Sequence, residues 1–296
     1  MQKNKVKIDL SIIILNYNGQ FWLKKLLPTL KKNYLDKTKY QVELIVVDNA
    51  STDDSVKLMR KNFKWATTIE SGRNGGFAFG NNVAIKGNPA RYVMLLNSDT
   101  EFLNNKQSDL DQIIEYMDQD KEVAMVSPRV ELSDGSLDPA CHRGEPTPWT
   151  SFAYFTGLEK LFPKIKFFSG YHQTYKDLKT IHEVDACTGA AMIVRNSAIK
   201  KVGMLDEIFF MYAEDLDWCK RFRDAGYKIV FYPKIKIIHH KYKSGIKSSN
   251  KKTASFTQQH FYKTMLQYYD KHYKNKYPKF VRKIVEYFVL IKTDVR

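Results

Sequence analysis

The chain has 296 residues, of which 43% are hydrophobic and 27% are charged. These fractions are close to the averages for folded globular domains, so they exclude a disordered or fibrous protein. The length allows one large domain or two small ones with a buried core. The formal net charge of +16 is unusual, and its distribution along the chain is informative.

The cysteines indicate the redox environment. Cys141, Cys187 and Cys219 are odd in number, far apart, and without the spacing of a zinc site. This pattern argues against a disulfide framework and favours a reducing compartment. The N-terminal residues lack the pattern of a secretory signal peptide, and no stretch is long and apolar enough to predict a membrane-spanning helix.

Apolar segments of strand length alternate with segments of helical period in the first hundred residues. Strands are predicted at 8–15, 42–48, 65–69 and 92–96, and helices at 21–32, 51–62 and 77–86. Ser51 is predicted to cap the second helix, with Asp54 three residues later. The alternation predicts a parallel sheet with helices on both faces.

The second half of the chain is less regular. Residues 127–183 contain five prolines and many aromatic residues, and we interpret them as an irregular lid or insertion. A strand is predicted at 186–194, and a helix at 213–225 that ends at Gly226. Two short strands, 228–232 and 235–239, are predicted on either side of Pro233.

The basic residues are concentrated at the C-terminus. Residues 228–296 contain 17 Lys and Arg against 3 acidic residues, whereas the preceding 227 residues have 31 against 29. Val281, Ile284, Val285 and Phe288 recur at helical spacing, which predicts an amphipathic basic helix. Such a helix suits an anionic membrane surface. The alternatives are a solvated lysine-rich face and a nucleic-acid patch, and no nucleic-acid-binding motif is found.

Polar residues directly follow three of the predicted strands. They are Asn16, Asn18, Asp48, Asn49, Asn97, Ser98 and Asp99. In parallel sheets, ligands bind outside the carboxyl ends of the strands. Three such clusters together therefore predict a binding site, although a single aspartate after a strand is more often a helix cap.

Asp99 is the strongest candidate for a metal ligand. The first half of the chain is nearly neutral, so an anionic diphosphate bound there would need a cation as counter-charge. Mg²⁺ and Mn²⁺ accept carboxylates, and Mn²⁺ also accepts imidazole. His239, at the end of a late strand, is therefore a candidate second ligand. The alternative is an exposed histidine without a ligand role.

Three carboxylates, Glu214, Asp215 and Asp217, lie at the start of a predicted helix. Acidic residues are favourable there because of the helix dipole, which is the structural interpretation. The aromatic residues at 209–212 also predict a partly apolar cleft. In such a cleft one carboxylate could accept a proton from an incoming hydroxyl.

Six segments together resemble the inverting family 2 glycosyltransferases of GT-A fold, and within that family the bacterial rhamnosyltransferase-like branch. The segments occur in the family's order and spacing over about four fifths of the chain. They are SIIILNYNG (11–19), ELIVVDNASTDDS (43–55), NGGFAFGNN (74–82), LLNSDT (95–100), the stretch from TGAAMIV to DAGY (188–227) and PKIKIIHH (233–240).

The resemblance implies a site for a nucleotide-diphosphate sugar. Its implied members are Asn16, Tyr17, Asn18, Asp48, Asn49, Arg73, Asn74, Gly76, Asn97 and Ser98. Asp48 would contact the base, since a carboxylate can accept a hydrogen bond from the N3–H of uracil or thymine. Gly76 would let the backbone approach the nucleotide sugar closely, although an ordinary turn would also use glycine.

The resemblance also implies a cation, Mn²⁺ or Mg²⁺, held by Asp99 and His239. The family's metal motif is commonly Asp-x-Asp, and this chain has Asn97 at its first position. His240 is the alternative ligand if the strand is displaced by one residue.

By the same resemblance, Asp215 is the catalytic base, and the acceptor site is shaped by residues on both sides of it. The implied acceptor-binding residues are Glu214, Asp217, Trp218, Thr188 and Gly189. The base would deprotonate an acceptor hydroxyl that attacks the anomeric carbon, with inversion in one displacement.

The predicted protein is a metal-dependent inverting glycosyltransferase of cell-surface glycan synthesis, with dTDP-rhamnose as the favoured donor and a lipid-linked or polysaccharide acceptor. We expect a cytoplasmic protein at the inner face of a bacterial plasma membrane, no nucleic-acid partner, and a possible homodimer. The alternative is a non-catalytic protein of the same fold that binds nucleotide sugars or glycans.

The predicted organisation is a GT-A domain, α/β and Rossmann-like with a mostly parallel sheet, over 1–245. Within it, 1–100 would bind the nucleotide sugar and 127–245 the acceptor. A basic helical extension is predicted at 246–296. The hypothesis requires Asp48, Asp99 and Asp215 to gather around one pocket.

Overall fold

The computed structural model describes residues 7–104, 106, 109–241 and 251–294. Strand and helix alternate over most of this length. The strands are β1 Leu10–Asn16, β2 Val42–Asp48, β3 Thr67–Glu70, β4 Tyr92–Asn97, β5 Thr100–Phe102, β6 Val123–Leu132, β7 His182–Glu183, β8 Ala191–Arg195 and β9 Lys228–His239. The helices are α1 Gln20–Leu30, α2 Ser55–Asn62, α3 Gly76–Ile85, α4 Asp111–Gln119, α5 Pro148–Phe155, α6 Leu158–Leu161, α7 Asn196–Val202, α8 Glu214–Asp224, α9 Lys251–His272 and α10 Lys279–Asp294.

The strands form one mixed sheet in the order β3-β2-β1-β4-β8-β6-β9-β5, with β7 beside β9. The strands β3, β2, β1 and β4 are parallel, as the sequence predicts. Strand β8 runs antiparallel to both β4 and β6, so the sheet is not parallel throughout. The reversal divides the sheet into a parallel first half and a second half built around β6 and β9.

The parallel half owes its stability to strands that are apolar on both sides. Helices cover both faces of such a sheet, so its strands are apolar runs instead of alternating patterns. Ile12, Ile13 and Ile14 of β1 and Val93 of β4 are accordingly buried. In this register Asn16 pairs with Asp48 and Leu15 with Asn97. The polar residues that follow these strands therefore lie at one edge of the sheet.

Ser51 does not cap α2, contrary to the sequence prediction. Its Oγ accepts hydrogen bonds from the backbone N–H of Asn18, at 2.8 Å, and from Nδ2 of Asn16, at 3.2 Å. Helix α2 begins only at Ser55, after Asp54. The hydroxyl therefore joins the β2–α2 loop to the β1–α1 loop.

Pro233 does not divide the last strand, so the prediction of two short strands is wrong. Strand β9 runs through it, and the pairing with β6 passes from Tyr232 opposite Pro128 to Lys236 opposite Arg129. Residues 233–235 form a bulge, which suits proline because it has no N–H to donate.

The segment 127–183 is more ordered than predicted. Its first residues continue β6 to Leu132, and α5 and α6 follow. The strand predicted at 186–194 is shorter, because β8 begins only at Ala191. Gly226 has a φ of 82°, the left-handed conformation predicted for the residue that ends α8.

The C-terminal helices pack against the body of the protein. Tyr268 and Tyr269 of α9 and Tyr273, directly after it, form a buried cluster with Phe209 and Ala213. Val281 and Val285 of α10 pack against this cluster. The predicted boundary at 245/246 lies outside the described residues. Within those residues, no helix has the length and apolar content needed to cross a membrane.

Gly76 joins the two halves of the chain. The N–H of the next residue, Phe77, donates to the carbonyl of Phe210 at 2.9 Å. A Cβ added at Gly76 would lie 2.1 Å from that carbonyl oxygen, and its φ is +85°. Only glycine therefore fits there.

We predict that Gly76→Ala destabilises the fold more than Gly72→Ala does. Gly72 has a similar φ of +79° but no atom within 4 Å of an added Cβ. Gly72→Ala should cost about 1 kcal/mol for the left-handed conformation, and Gly76→Ala about 2 kcal/mol more because the Phe210 carbonyl must move. Urea unfolding of both variants measures the difference. Equal losses of stability would mean that the contact with Phe210 is not a constraint.

Candidate active site

The loops after β1 and β2 hold each other through polar side chains. Nδ2 of Asn16 donates to Asp48 at 3.0 Å, and the second Asp48 oxygen accepts from the N–H of Ser51 at 2.9 Å. Asn18, at a φ of 52°, accepts from the N–H of Thr52 at 2.7 Å. The left-handed conformation is one that asparagine tolerates. These bonds fix the floor of a site at the edge of the sheet.

Asp48 and Asn16 lie below the surface of this site. Asp48 is 3% exposed and Asn16 is 0% exposed. Tyr17 is 52% exposed and stands at the open side of the same loop. Of the sequence-predicted nucleotide residues here, Tyr17 and Asn18 are therefore the accessible ones, and Asn16 is a buried support.

Asn49 organises the glycine-rich loop before α3. Its Nδ2 donates to Oδ1 of Asn74 at 3.0 Å and to the carbonyl of Gly76 at 3.2 Å. Its Oδ1 accepts from the hydroxyl of Ser71 at 3.2 Å. Asn49 is buried, whereas Asn74 is exposed. The guanidinium of Arg73, also exposed, lies 4.4 Å from the ring centre of Phe79.

Asp99 and His239 meet where β4 ends. Oδ1 of Asp99 lies 3.2 Å from Nε2 of His239, and Nδ2 of Asn97 lies 3.4 Å from the same nitrogen. Nδ1 of His239 is 3.1 Å from Oδ2 of Asp138, whose side chain is fully buried. The structure thus brings the two sequence-predicted metal ligands together and adds a carboxylate behind the imidazole.

The charges around His239 favour a cation. Burial alone would raise the pKa of Asp138 and lower that of His239. The hydrogen bond between them and the neighbouring charges of Lys241 and Asp99 outweigh burial. The pKa of Asp138 is consequently lowered, and that of His239 is raised to about 9. With Lys241 bound to Asp138, the two carboxylates leave one net negative charge when the imidazole is neutral, so a divalent cation would have to displace the proton of His239.

The separation of the two candidate ligands also fits a cation. Neighbouring ligands of an octahedral ion, each at about 2.1 Å, lie about 3 Å apart. The 3.2 Å between Asp99 and His239 is close to this value. A carboxylate behind the second ring nitrogen is the usual support of a metal-binding histidine. Among the described residues there is no group of three or more His, Cys, Asp or Glu that could hold a metal. Other ligands would have to come from the donor and water.

His240 lies on the other side of the strand. Its Nε2 is 2.9 Å from Oε2 of Glu101 and its Nδ1 is 2.9 Å from the hydroxyl of Ser133. The ring stacks on Trp22 at 5.2 Å. Consecutive strand residues point to opposite faces, so only the first of the two histidines faces Asp99.

Asp215 is held at the start of α8 by a buried arginine. Nη2 of Arg143 donates to Oδ2 of Asp215 at 2.7 Å and to the carbonyl of Cys187 at 3.0 Å. The N–H of Gly189 approaches the same carboxylate oxygen at 3.4 Å, and the N–H of Leu216 donates to the other at 2.7 Å. The proximity of Asp215 outweighs burial and raises the pKa of Arg143.

The backbone before α8 is strained. Tyr212 and Ala213 have φ values of 68° and 64°, in the left-handed region that residues with side chains avoid. Such conformations cost of order 1–3 kcal/mol each and persist where the surroundings enforce them. Here they turn the chain abruptly into α8, so that Glu214 and Asp215 begin the helix at the site.

Glu214 is a buried carboxyl group. Its Oε2 has no hydrogen-bond partner within the described structure. Burial, and next the negative charge of Asp215, raise the pKa of Glu214 to about 8. The two adjacent carboxyl groups therefore differ, since Asp215 has a cationic partner and Glu214 favours its protonated form near neutral pH.

One short backbone turn connects the two groups of side chains. The N–H of Asn97 donates to the carbonyl of Ala190 at 2.9 Å, while Gly189 contacts Asp215. Asn97 in turn lies beside His239. The candidate metal ligands and the candidate base are thus linked across residues 189–190, and Asp48 lies two strands away along the same edge.

Two expected acceptor residues do not fit that role. Trp218 is 0% exposed in the hydrophobic core, and its Nε1 donates to the carbonyl of Gly203 at 2.9 Å. The Asp217 side chain is also fully buried, within hydrogen-bonding distance of Arg221, Lys271 and His272. Their burial places both on the inner side of α8. Gly189 is buried, and its N–H approaches Asp215 at 3.4 Å. Thr188 is also buried and accepts from the N–H of Ala190 at 3.2 Å.

Sequence analysis missed two residues of the site. Arg143 and Asp138 both lie in the segment taken as an irregular insertion. Asp138 precedes a proline and also caps a short 3₁₀ turn, so its pattern is that of an ordinary turn. No motif distinguishes Arg143 among 48 basic residues. Only the folded geometry reveals their contacts with His239 and Asp215.

The sequence profile of Glycosyl transferase family 2 matches residues 11–202, well over half of the chain. The matched range contains the residues at the strand ends, and the candidate base lies just after it. The profile therefore covers the first half of the site described above and the turn at 189–190.

Curated relatives extend the comparison beyond this range. The chain is 30% identical over 242 residues to the rhamnosyltransferase WbbL of Escherichia coli K12, covering 77% of this chain and 82% of that protein. It is 24% identical over 274 residues to the N-acetylglucosaminyl-diphospho-decaprenol L-rhamnosyltransferase of Mycobacterium tuberculosis, covering 89% and 85%. It is 29% identical over 230 residues, 75% of this chain, to the low-salt glycan biosynthesis hexosyltransferase Agl10 of Haloferax volcanii. The chain spans 64% of the length of that relative.

Solved structures have similar folds at low sequence identity. The mannosyltransferase PcManGT of Pyrobaculum calidifontis, in complex with GDP-Man and Mn²⁺, aligns with a TM-score of 0.60 at 15% identity, covering 97% of this chain and 70% of that chain. TarS of S. aureus with UDP-GlcNAc aligns with a TM-score of 0.58 at 17% identity, covering 96% and 72%. These likenesses confirm the GT-A fold predicted from the sequence.

We predict that Glu214→Gln stabilises the protein increasingly as the pH rises from about 5 to about 8. The folded state retains a proton on Glu214 in this range, whereas the unfolded state has released it. The wild type therefore loses stability with rising pH, by up to about 1.4 kcal/mol per pH unit. Glutamine carries no proton to lose, so the difference between variant and wild type should grow.

Urea unfolding at several pH values measures this difference. Glu122→Gln is the matched control, because the Glu122 side chain is 69% exposed. A pH-independent difference for Glu214→Gln, parallel to that of the control, would show that Glu214 ionises normally in the folded protein.

Proposed function

The chain belongs to glycosyl transferase family 2, and we propose that it transfers L-rhamnose from dTDP-rhamnose to a hydroxyl of a lipid-linked glycan precursor, with inversion at the anomeric carbon. Membership of the family means that the chain is a glycosyltransferase with a nucleotide-sugar donor. The proposal adds the identity of the sugar, the acceptor and the cation, and the roles of individual residues.

The donor would bind along the carboxyl ends of β1, β2 and β4. Each Asp48 oxygen accepts one hydrogen bond within the protein, which leaves lone pairs for the N3–H of thymine. Because Asp48 is 3% exposed, the base would meet it at the bottom of the site. The exposed ring of Tyr17 offers a surface for stacking, and the exposed guanidinium of Arg73 offers a positive charge to the diphosphate.

Asp99 and His239 would hold Mn²⁺ or Mg²⁺, which when bound neutralises charge on the departing nucleoside diphosphate. Asp138 fixes the ring of His239 through Nδ1 and so leaves Nε2 directed at Asp99. Asn97, at the position where the family commonly has aspartate, would contribute an amide beside this pair. Its neutral side chain makes the site less negative than a second carboxylate would.

Asp215 would act as the base. Arg143 and the N–H of Leu216 each bind one oxygen of its carboxylate and so fix its orientation. As the acceptor oxygen bonds to the anomeric carbon, its proton passes to Asp215, and the bond from that carbon to the diphosphate oxygen breaks on the opposite side. One displacement inverts the configuration. The diphosphate leaves as an anion and needs no acid.

The observation that carries the proposal is the link through residues 189–190. It connects Asp215 to the end of β4, where Asn97 lies beside His239 of β9. A base beside the candidate diphosphate site is the arrangement that direct displacement requires. A non-catalytic binding protein of the same fold remains the second candidate, and the substitution of Asn97 for an aspartate of the motif is the observation that favours it.

Rhamnose and the lipid-linked acceptor are proposed from two relatives whose names specify rhamnosyl transfer, one of them to a decaprenyl diphosphate glycan. A lipid-linked acceptor lies at a membrane. The basic C-terminal helices would therefore hold the protein on an anionic membrane surface, which we propose is the inner face of the plasma membrane.

We predict that Asp215→Asn reduces transfer at least about a hundredfold while donor binding is retained, since a general base contributes this much or more. Transfer to a lipid-linked acceptor and binding of dTDP-rhamnose by calorimetry are the two measurements. The substitution also leaves buried Arg143 without a charged partner, so the protein will lose stability.

Asp217→Asn is the matched control for this loss of stability. Asp217 lies two residues away on the same helix and is also buried in ion pairs. At temperatures where both variants are folded, Asp217→Asn should retain transfer. If the two variants lose transfer equally, Asp215 has no special role. If Asp215→Asn retains transfer, it is not the base.

We predict that a panel of nucleotide sugars selects dTDP-rhamnose, and that its binding strengthens with Mn²⁺ or Mg²⁺ and weakens with a chelator. His239→Gln should abolish the effect of the cation, whereas His240→Gln should preserve it, because His240 faces Glu101. Asp138→Asn should weaken the effect of the cation by about 10- to 100-fold. Identical behaviour of the two histidine variants would contradict the assignment of the ligand.

A further inference from the structure

An exposed run of alternating apolar and basic residues lies at the end of α6. All eight residues of 160–167 are exposed. Leu161 is 71% exposed, Phe162 41%, Ile165 47% and Phe167 61%. Lys160, Lys164 and Lys166 are interspersed among them, and no acidic residue occurs in the run. We call residues 160–167 the apolar-basic loop.

The loop is held in shape from behind by aromatic packing. Nε1 of Trp149 donates to the carbonyl of Phe167 at 2.8 Å, and the two rings lie 4.6 Å apart. The ring of Phe162 lies 4.9 Å from that of Phe168. Glu159, immediately before the loop, is buried and holds His172. The apolar side chains are thus displayed on a rigid support.

Helix α10 presents a matching surface. Phe280, Ile284, Tyr287 and Ile291 are exposed by 62%, 61%, 68% and 44%. Their spacing places them along one side of the helix, with exposed Lys283 among them. The opposite side, with Val281 and Val285, packs on α9 and the body. We call this exposed side the outer stripe of α10.

Helix α5, which precedes α6 and the loop, packs against the helix that bears the stripe. Phe155 of α5 and Phe288 of α10 meet at 4.7 Å between ring centres, and Phe288 also lies 6.4 Å from Tyr262 of α9. The first turn of α5 is also tied to α8, because the hydroxyl of Thr150 donates to the carbonyl of Glu145 at 2.7 Å and Glu145 pairs with Lys220. Helix α5 thus connects α10 to the helix that bears the candidate base.

We propose that the apolar-basic loop and the outer stripe of α10 together form the surface that enters an anionic lipid bilayer. The inference deepens the proposed function and rests on it for the lipid-linked acceptor. It adds the apolar-basic loop as a second membrane-binding element. The basic composition of the C-terminus gives no indication of this loop. Two elements fix the orientation of the protein on the bilayer, so that the base side faces the acceptor.

The mixture of residues favours a bilayer over another protein. Apolar and aromatic side chains flanked by lysines suit the boundary between acyl chains and anionic headgroups. The centres of protein interfaces are instead depleted of lysine. A symmetric dimer would also bring the lysines of one loop against the same surface of its copy. Like charges would then oppose each other.

Binding of the full-length chain to vesicles tests the proposal. The vesicles are phosphatidylcholine, with or without phosphatidylglycerol. Leu161→Ser with Ile165→Ser should weaken binding to both kinds about tenfold. Lys164→Gln with Lys166→Gln should weaken binding about tenfold only where phosphatidylglycerol is present. Phe280→Ser with Ile284→Ser should behave as the first pair does.

The matched controls lie just before β3, an edge strand of the sheet. Trp65→Ser removes an exposed aromatic residue, and Lys61→Gln with Lys64→Gln makes the same change of charge as the loop variant. Both controls should bind vesicles as the wild type does. Loop variants that bind as well as these controls would overturn the proposal.

Sedimentation without lipid tests the competing occupant. A wild-type dimer that becomes a monomer on Leu161→Ser with Ile165→Ser, with vesicle binding unchanged, would assign the surface to a second copy and overturn the proposal. The wild type should hydrolyse dTDP-rhamnose slowly in solution, and every loop variant should do so at the same rate. Absence of hydrolysis in the wild type would contradict the proposed chemistry, whereas normal vesicle binding by the loop variants would contradict only the membrane surface.

Discussion

The buried ion pair between Arg143 and Asp215 is the interaction on which the site depends. Taking a guanidinium and a carboxylate out of water is costly unless each satisfies the other with good geometry. Here the carboxylate receives Arg143 and two backbone N–H groups, and the arginine also reaches the carbonyl of Cys187. The pair binds the segment after β6 to the first turn of α8. A carboxylate held by these three donors has one orientation.

A second set of ion pairs clamps the rest of α8. Glu145 is bound by Arg223 and Lys220 of that helix and by the hydroxyl of Tyr273, the residue after α9. Burial would raise the pKa of Glu145, but hydrogen bonds from Tyr273 and Arg223 lower it to about 2. On the other side of the helix, Asp217 is bound from α9 as well. The C-terminal helices are consequently part of the support of the site, although composition alone makes them resemble a detachable basic tail.

Sequence reasoning succeeds where function is carried by strands with buried faces. The ends of β1, β2 and β4 follow from apolar runs, and a parallel sheet must place those ends together, so Asp48 and Asp99 could be located without coordinates. It fails where a contact joins segments that have no shared period. Arg143 and Asp138 come from irregular backbone. Ser51 has a local capping pattern, but its contacts with Asn16 and Asn18 override it. Trp218 belongs to a motif of the site, but its side chain packs in the core. The tertiary structure decides these cases.

The bulge at residues 233–235 sets which of the two histidines faces Asp99. It places three residues of β9 opposite none of β6, and beyond it one histidine is turned towards Asp138 and the next towards Glu101. A slip of one residue beyond the bulge would exchange the two histidines, but it would also turn buried Ile237 towards solvent and Lys236 towards the core. The hydrophobic core therefore selects the imidazole that meets Asp99.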